Sequence, residues 1–212
     1  MSTSRRKTGW DAAKAARRCM VTGELAGRVY SEVRRADRAV DDDAWIAEML
    51  RTAPFAALAT VADGQPFINN NLFAFDEAAR AIYMHTAALG RTRSNVEAEE
   101  RCCFSVGRMG RLLPHDTALG MSVEYASVVV FGRARVVEDE AERERALQRL
   151  LDKYFAHLRP GADYRAISPQ ELAITTVYRI DVDEWSGKRK QVEPDFPGAF
   201  LFGDRPTANS VR

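Results

Sequence analysis

The spacing of hydrophobic residues changes several times along the chain. Trp45, Ile46, Met49 and Leu50 recur at helical spacing behind the acidic run Asp41-Asp42-Asp43, which predicts a helix with an acidic N-terminus, ended by Pro54. The pattern then becomes that of strands. Residues 55–62 form an apolar run, Asp63-Gly64 is a hairpin signal, and 65–75 returns as a second strand bent at Asn69-Asn70-Asn71. A tight connection over 76–80 leads to a third strand over 81–86, so 55–86 reads as an antiparallel meander. Residues 90–98 predict a short helix and 102–106 a fourth strand. Residues 107–120, with their glycines and Pro114, read as a loop. A long strand follows over 122–137, bent at Gly132 as barrel closure requires. Residues 138–158 are helical, with Ala146, Leu147, Leu150, Leu151, Tyr154 and Phe155 on one side. After a loop over 161–169, residues 171–182 alternate as the last strand.

About six strands and three helices, without regular βαβ alternation, predict a mainly β (α+β) fold. The expected form is a closed or nearly closed antiparallel barrel with peripheral helices. Residues 1–40 form an Arg- and Ala-rich arm, partly irregular, with a helical turn or two over 14–20. Residues 41–190 form one domain, and 191–212 an irregular tail.

Composition narrows the function classes. Hydrophobic residues make up 46 % of the chain, enough for a core. The formal net charge of +1 gives no global attraction to nucleic acid or to anionic membrane. No apolar run is long enough for a membrane span and no signal peptide is expected. The three cysteines, Cys19, Cys102 and Cys103, fit no zinc pattern. They read as reduced thiols in the cytoplasm. His85, His115 and His157 share no ligand spacing, so no metal is expected. Nucleophile-elbow and dinucleotide-binding glycine patterns are absent.

Three stretches carry candidate chemistry. In His85-Thr86-Ala87-Ala88-Leu89-Gly90-Arg91-Thr92-Arg93-Ser94-Asn95 a strand delivers an imidazole and a hydroxyl, and a small-residue turn opens a helix flanked by two arginines. Helix N-termini and arginines suit a phosphate. The same residues also suit an exposed helix with solvated arginines. Asn69-Asn70-Asn71 is unusual in a strand. Its amides would serve the edge of a heterocycle, or else a bulge. Trp185-Ser186-Gly187-Lys188 offers either an aromatic wall for a flat ring or ordinary core packing.

The order and spacing of these segments resemble the pyridoxamine 5'-phosphate oxidase-like FMN-binding split-barrel superfamily, nearest its nitroimidazole-resistance branch. The resemblance runs from about Arg34 to Lys190. It is carried by Val33-Arg34-Arg35-Ala36-Asp37-Arg38, Ala57-Leu58-Ala59-Thr60 with Gly64-Gln65-Pro66, and Ile82-Tyr83-Met84-His85-Thr86-Ala87 with Gly90-Arg91-Thr92-Arg93-Ser94-Asn95. Further on it is carried by Cys103-Phe104-Ser105-Val106, Ser127-Val128-Val129-Val130-Phe131-Gly132-Arg133-Ala134 and Ile180-Asp181-Val182-Asp183-Glu184-Trp185-Ser186-Gly187-Lys188. Residues 107–120, and the arm over 1–40 apart from the 33–38 segment, fall outside it. The resemblance implies a six-stranded split barrel that forms a homodimer with FMN at the subunit interface. The FMN phosphate would lie near Thr86, Arg91, Arg93 and Ser94, and the ring near Asn69, Asn70, Asn71 and His85. Trp185 and Lys188 would approach from the partner. The activity implied is FMN-dependent oxidoreduction of a small molecule, with His85 as proton donor or orienting group. The alternatives are a non-catalytic flavin-binding or sensor module and a deazaflavin-dependent reductase.

Overall fold

A computed structural model of the protein describes residues 30–204. The chain divides between Glu32 and Val33 into two units, and every strand and helix described lies in the second.

A short 3-10 turn at Ala36–Arg38 leads into β1 (Ala39–Val40) and then helix α1 (Asp43–Thr52). The Asp42 carboxylate accepts hydrogen bonds from the backbone N–H groups of Ala44 and Trp45, so the acidic run does cap this helix. The inward face of α1 buries Ile46, Ala47, Met49 and Leu50. Then come β2 (Ala56–Ala62), β3 (Gln65–Asn71), β4 (Ala74–Asp76) and β5 (Ala81–Ala87). Helix α2 (Arg91–Ala98) leads to the long pair β6 (Arg101–Leu113) and β7 (Ser122–Val136). Helices α3 (Glu140–Tyr154) and α4 (Pro169–Ala173) precede β8 (Thr175–Lys190).

The eight strands described form one antiparallel sheet in the order β3-β2-β6-β7-β8-β5-β4, with β1 paired to β8. The core on its concave face holds Leu58, Phe73, Ile82, Phe104, Val128, Val130, Tyr178 and Ile180, each with 0 % exposure. Phe73 meets Phe104 edge-on at 4.9 Å between ring centroids. Helices α1 and α2 add Ile46, Met49, Leu50 and Val96 to this core, and α3 packs Ala146 against Ala81, Tyr83 and Val177 in a second cluster, so the helices are peripheral to a mainly β barrel. Among the described residues, no helix is long and apolar enough to cross a membrane.

Gly132 marks the bend foreseen in the long strand. The β7–β8 register shifts between Phe131 and Gly132, and a Cβ at Gly132 would lie 2.2 Å from the Asp181 carbonyl oxygen. Two expectations change. Residues 107–113 are not a loop but continue β6, held by pairing to β7 from Gly107↔Ser127 to Leu113↔Ser122, with a bulge between Met109 and Leu112. The last strand begins later and runs longer than 171–182. Residues 169–173 are helical, opened by a capping box between Ser168 and Glu171 and by Pro169, and the strand then runs on to Lys190 against β7. The count of eight strands rather than six comes from the short β1 and from the separation of β4 from β3 at Leu72-Phe73.

Candidate functional site

The end of β5, the edge strand β3 and the start of α2 converge on one locality. The Asn71 amide donates to the His85 carbonyl oxygen at 2.6 Å, joining β3 to β5 where no ladder connects them. The Asn69 amide donates to the Thr92 hydroxyl at 3.0 Å. One turn further along α2, the buried Asn95 amide donates to the Thr60 hydroxyl of β2 at 3.0 Å. Two amide–hydroxyl bonds thus pin α2 to β3 and β2, and they fix where its N-terminus points.

That N-terminus is open. Gly90 stands at the cap position with φ +152°, a conformation that favours glycine, and no side chain caps the helix. The first backbone N–H groups of α2 therefore face outward as donors, with the positive end of the helix dipole behind them. The Arg91 guanidinium lies 5.7 Å from the Phe67 ring centroid and has no carboxylate partner among the described residues. The His85 ring stands on the other face of β5, the face shared with Tyr83 and with its cross-strand neighbour Val177; its buried Nδ1 has no hydrogen-bond partner, and burial pulls its pKa below the ordinary 6.5. The ring is therefore neutral at pH 7, with one nitrogen available to donate or accept.

Other predicted site residues are engaged within the fold. Arg93 pairs with Glu97 at 2.7 Å and donates to the Ala88 carbonyl at 3.1 Å. The Ser94 hydroxyl donates back to Gly90 at 3.4 Å. The Thr86 hydroxyl shares a 2.9 Å hydrogen bond with the Tyr178 hydroxyl. Asn69 and Asn71 are committed as described, while the exposed Asn70 has no side-chain partner among the described residues.

Trp185 and Lys188 diverge. Trp185 is opposite Val130 and shares its inward face. Its Nε1 donates to Asp43 at 2.7 Å, and Arg80 stacks over the ring at 4.1 Å from its centroid. Lys188 lies opposite Ser127 and points outward, its ammonium 5.7 Å from the Tyr125 ring. His85 pairs with Val177. Trp185 is thus eight residues further along β8, roughly 26 Å of extended strand, and one chain does not bring the two together.

Asn95, Thr92 and Tyr178 are positioning residues, a role that sequence reasoning does not assign to them. A signal exists for two of them. Thr92 and Asn95 are polar residues three apart on the face of α2 that also carries the buried Val96, and buried polar groups at such spacing take partners. Cys102 and Cys103 are free thiols, and burial pushes Cys102 up to about 12, which disfavours its thiolate. Cys19 and the expected turns over 14–20 lie outside the described residues.

Comparison with known proteins supplies the family. The flavocytochrome Anf3 from Azotobacter vinelandii superposes with a TM-score of 0.67 at 23 % identity, over 79 % of this chain and 76 % of that one. The FAD and heme binding protein from Mycobacterium smegmatis gives 0.65 at 25 % identity, over 74 % and 76 %. A candidate 5-nitroimidazole antibiotic resistance protein from Bacteroides thetaiotaomicron gives 0.60 at 18 % identity, over 71 % and 86 %. No curated protein matches the chain. The family profile described as pyridoxamine 5'-phosphate oxidase matches residues 41–189. That span runs from the acidic cap of α1 through nearly all of β8 and takes in every strand from β2 onward, so the chain belongs to the pyridoxamine 5'-phosphate oxidase family and shares its antiparallel split barrel.

Proposed function

We propose that this protein is an FMN-dependent oxidoreductase of a small molecule, working as a homodimer in the cytoplasm. Its cofactor would lie between the end of β5, the edge of β3 and the N-terminus of α2. The observation that carries the reading is the uncapped start of α2, with an Arg91 that has no carboxylate partner among the described residues. A phosphate dianion needs converging donors, and the free N–H groups of α2 with Arg91 supply them. The edge of a flavin ring needs neutral donors and acceptors, and His85 and the free amide of Asn70 supply these. The residues therefore fit the group, in a narrower set than the sequence suggested. Arg93, Ser94, Thr86, Asn69 and Asn71 would shape the cradle rather than contact the cofactor.

When bound, FMN supplies two-electron transfer. The chain's own part is to orient and tune. Arg91 and the helix dipole hold the anionic end. The Asn69–Thr92 and Asn95–Thr60 bonds keep α2 in register with the strands. A neutral His85 offers one ring nitrogen to hold or pass a proton at the ring edge.

The dimer reading rests on the convex face of the sheet. One row across four strands reads Ile68-Ala59-Cys103-Phe131, and the next Asn70-Ala57-Ser105-Val129. Opposite residues in an antiparallel ladder share a face, so both rows carry no charge and, Asn70 apart, are small or apolar. Ile68 is 61 % exposed in the single chain. Such a face suits a second copy of itself, and Lys188 stands at its border, where it would reach a partner's cofactor.

A second reading keeps the site and changes the cofactor to FAD. It is favoured by the FAD and heme binding protein from Mycobacterium smegmatis, at 25 % identity. One experiment addresses both. The absorption spectrum of the purified protein is recorded, and the cofactor is released by heat and identified by mass. A twin-banded flavin spectrum with FMN mass supports the first reading, and FAD mass the second. A deazaflavin, or no bound or acquired flavin at all, overturns both. A bound flavin that no donor reduces would replace the enzyme with a flavin-binding module.

A further inference from the structure

Past the core, the β6–β7–β8 ribbon continues and its concave face turns basic. The register sets Arg108 opposite Ala126, and Ala126 opposite Arg189. Two arginines on neighbouring strands thus flank a low, buried alanine on one face. Lys190 follows Arg189. A cavity of about 170 Å³ opens there, with Arg108, Ala126, Arg189 and Lys190 in its wall. At ~30 Å³ per water of liquid volume, that is the scale of a phosphate or diphosphate group.

The charges in this cleft are unbalanced. The one acid in its wall, Glu124, is already engaged. The Arg111 guanidinium grips it with two hydrogen bonds of 2.8 and 2.9 Å, and the backbone N–H groups of Val192 and Arg111 add two more at 3.0 and 3.3 Å. These bonds hold its pKa down to about 2. Arg108 has no carboxylate partner among the described residues. Arg189 faces the Trp45 ring, at 5.7 Å. The Lys190 ammonium meets the Ser122 hydroxyl, a neutral partner. Nearby, Arg35 and Arg38 share the single carboxylate of Asp37. Burial and these two arginines together lower the Lys190 pKa. Cations gathered without counter-charge around a concave floor focus potential for an anion.

We propose that this cleft is a second ligand site, which binds the phosphate groups of a small molecule. It does not depend on the flavin reading. Lys190 lies fourteen residues along β8 from Thr176, which pairs with Thr86 at the flavin locality. That is of the order of 45 Å along the strand, so the cleft is a separate locality of the chain. The phosphate would come from a separate phosphorylated ligand, or from the diphosphate of a flavin held chiefly by a partner chain.

The test titrates pyrophosphate into the full-length protein by calorimetry. It compares wild type with Arg108→Gln, Arg108→Gln/Arg189→Gln and a control, Arg165→Gln, which removes one exposed charge elsewhere. Thermal melts of each variant verify the fold. The expected result is saturable binding that weakens with salt and is unchanged in the control. Binding should fall about tenfold to a hundredfold per arginine removed. Equal binding by wild type and the folded double variant overturns the site, as does no binding by wild type. Flavin content and mass, read on the same samples, separate the two sources. Flavin lost along with pyrophosphate binding marks the cofactor's own diphosphate, and flavin retained marks a separate ligand. If no sample holds flavin, the flavin reading falls while the pyrophosphate result still decides this one.

Discussion

At the scale of single residues, His85 and Asn95 divide the work of the candidate site. His85 is neutral in the fold because burial disfavours the imidazolium. Its folded pKa lies below the unfolded value of about 6.5, so the unfolded chain takes up the proton first. The contribution of the neutral ring is therefore complete above pH 6.5 and is lost progressively as pH falls from there toward the folded pKa. Urea midpoints should decline over that window in wild type and less steeply in His85→Gln. Parallel curves would show that other groups carry the decline. Asn95 acts through α2 and not on a ligand. Asn95→Ala leaves the Thr60 hydroxyl buried without its donor, at a cost of about 1–3 kcal/mol. It also frees the helix start to shift. Urea unfolding should register the first effect. Flavin titration should register the second as a weaker Kd, whereas a purely structural role predicts lost stability with unchanged affinity.

At the scale of elements, the sequence is most readable where local chemistry decides the outcome. The Asp42 cap, the Asp63-Gly64 hairpin and the Gly132 bend all follow from rules a few residues long, and all three are present. It is least readable where a partner strand decides. Gly107 and Gly110 punctuate β6 like a loop, yet Ser122 to Ser127 of β7 lie alongside and hold that segment extended. The far end of β8, from Glu184 to Lys190, is strand because β7 pairs with it from Phe131 back to Tyr125. The site shows the same division. The helix start at Gly90-Arg91 is legible from composition and spacing. The commitment of Arg93 to the Ala88 carbonyl and of Trp185 to Asp43 is not, because each depends on which rotamer and which neighbour tertiary packing selects. The bend gives a sharp test. Gly132→Ala drives a methyl group into the Asp181 carbonyl, 2.2 Å away, where the obstacle is backbone and not a flexible side chain that could yield. A loss of about 2–4 kcal/mol in the urea unfolding free energy is expected, and a variant as stable as wild type would mean that the bulge can move.

At the scale of the whole molecule, the question is what covers the convex face. The rows Ile68-Ala59-Cys103-Phe131 and Asn70-Ala57-Ser105-Val129 are two neighbouring rows across four strands without a charged residue, and uncharged, partly apolar faces of this kind favour a protein partner. A two-fold copy would supply one, because each row then packs on its own copy. In the dimer proposed above, Lys188 of one chain would approach the cofactor locality of the other. Ile68 is the residue to change. It is 61 % exposed in the single chain, so Ile68→Glu adds no charge to the core and should leave the monomer folded. Light scattering coupled to size exclusion should give about twice the 23.7 kDa chain mass for wild type and the chain mass itself for the variant. The melting profile should stay cooperative, and bound flavin should fall with the dimer if the site is shared between subunits. A monomeric wild type would remove the dimer and leave each cradle to hold its cofactor alone. A dimer that survives Ile68→Glu would move the interface to another face.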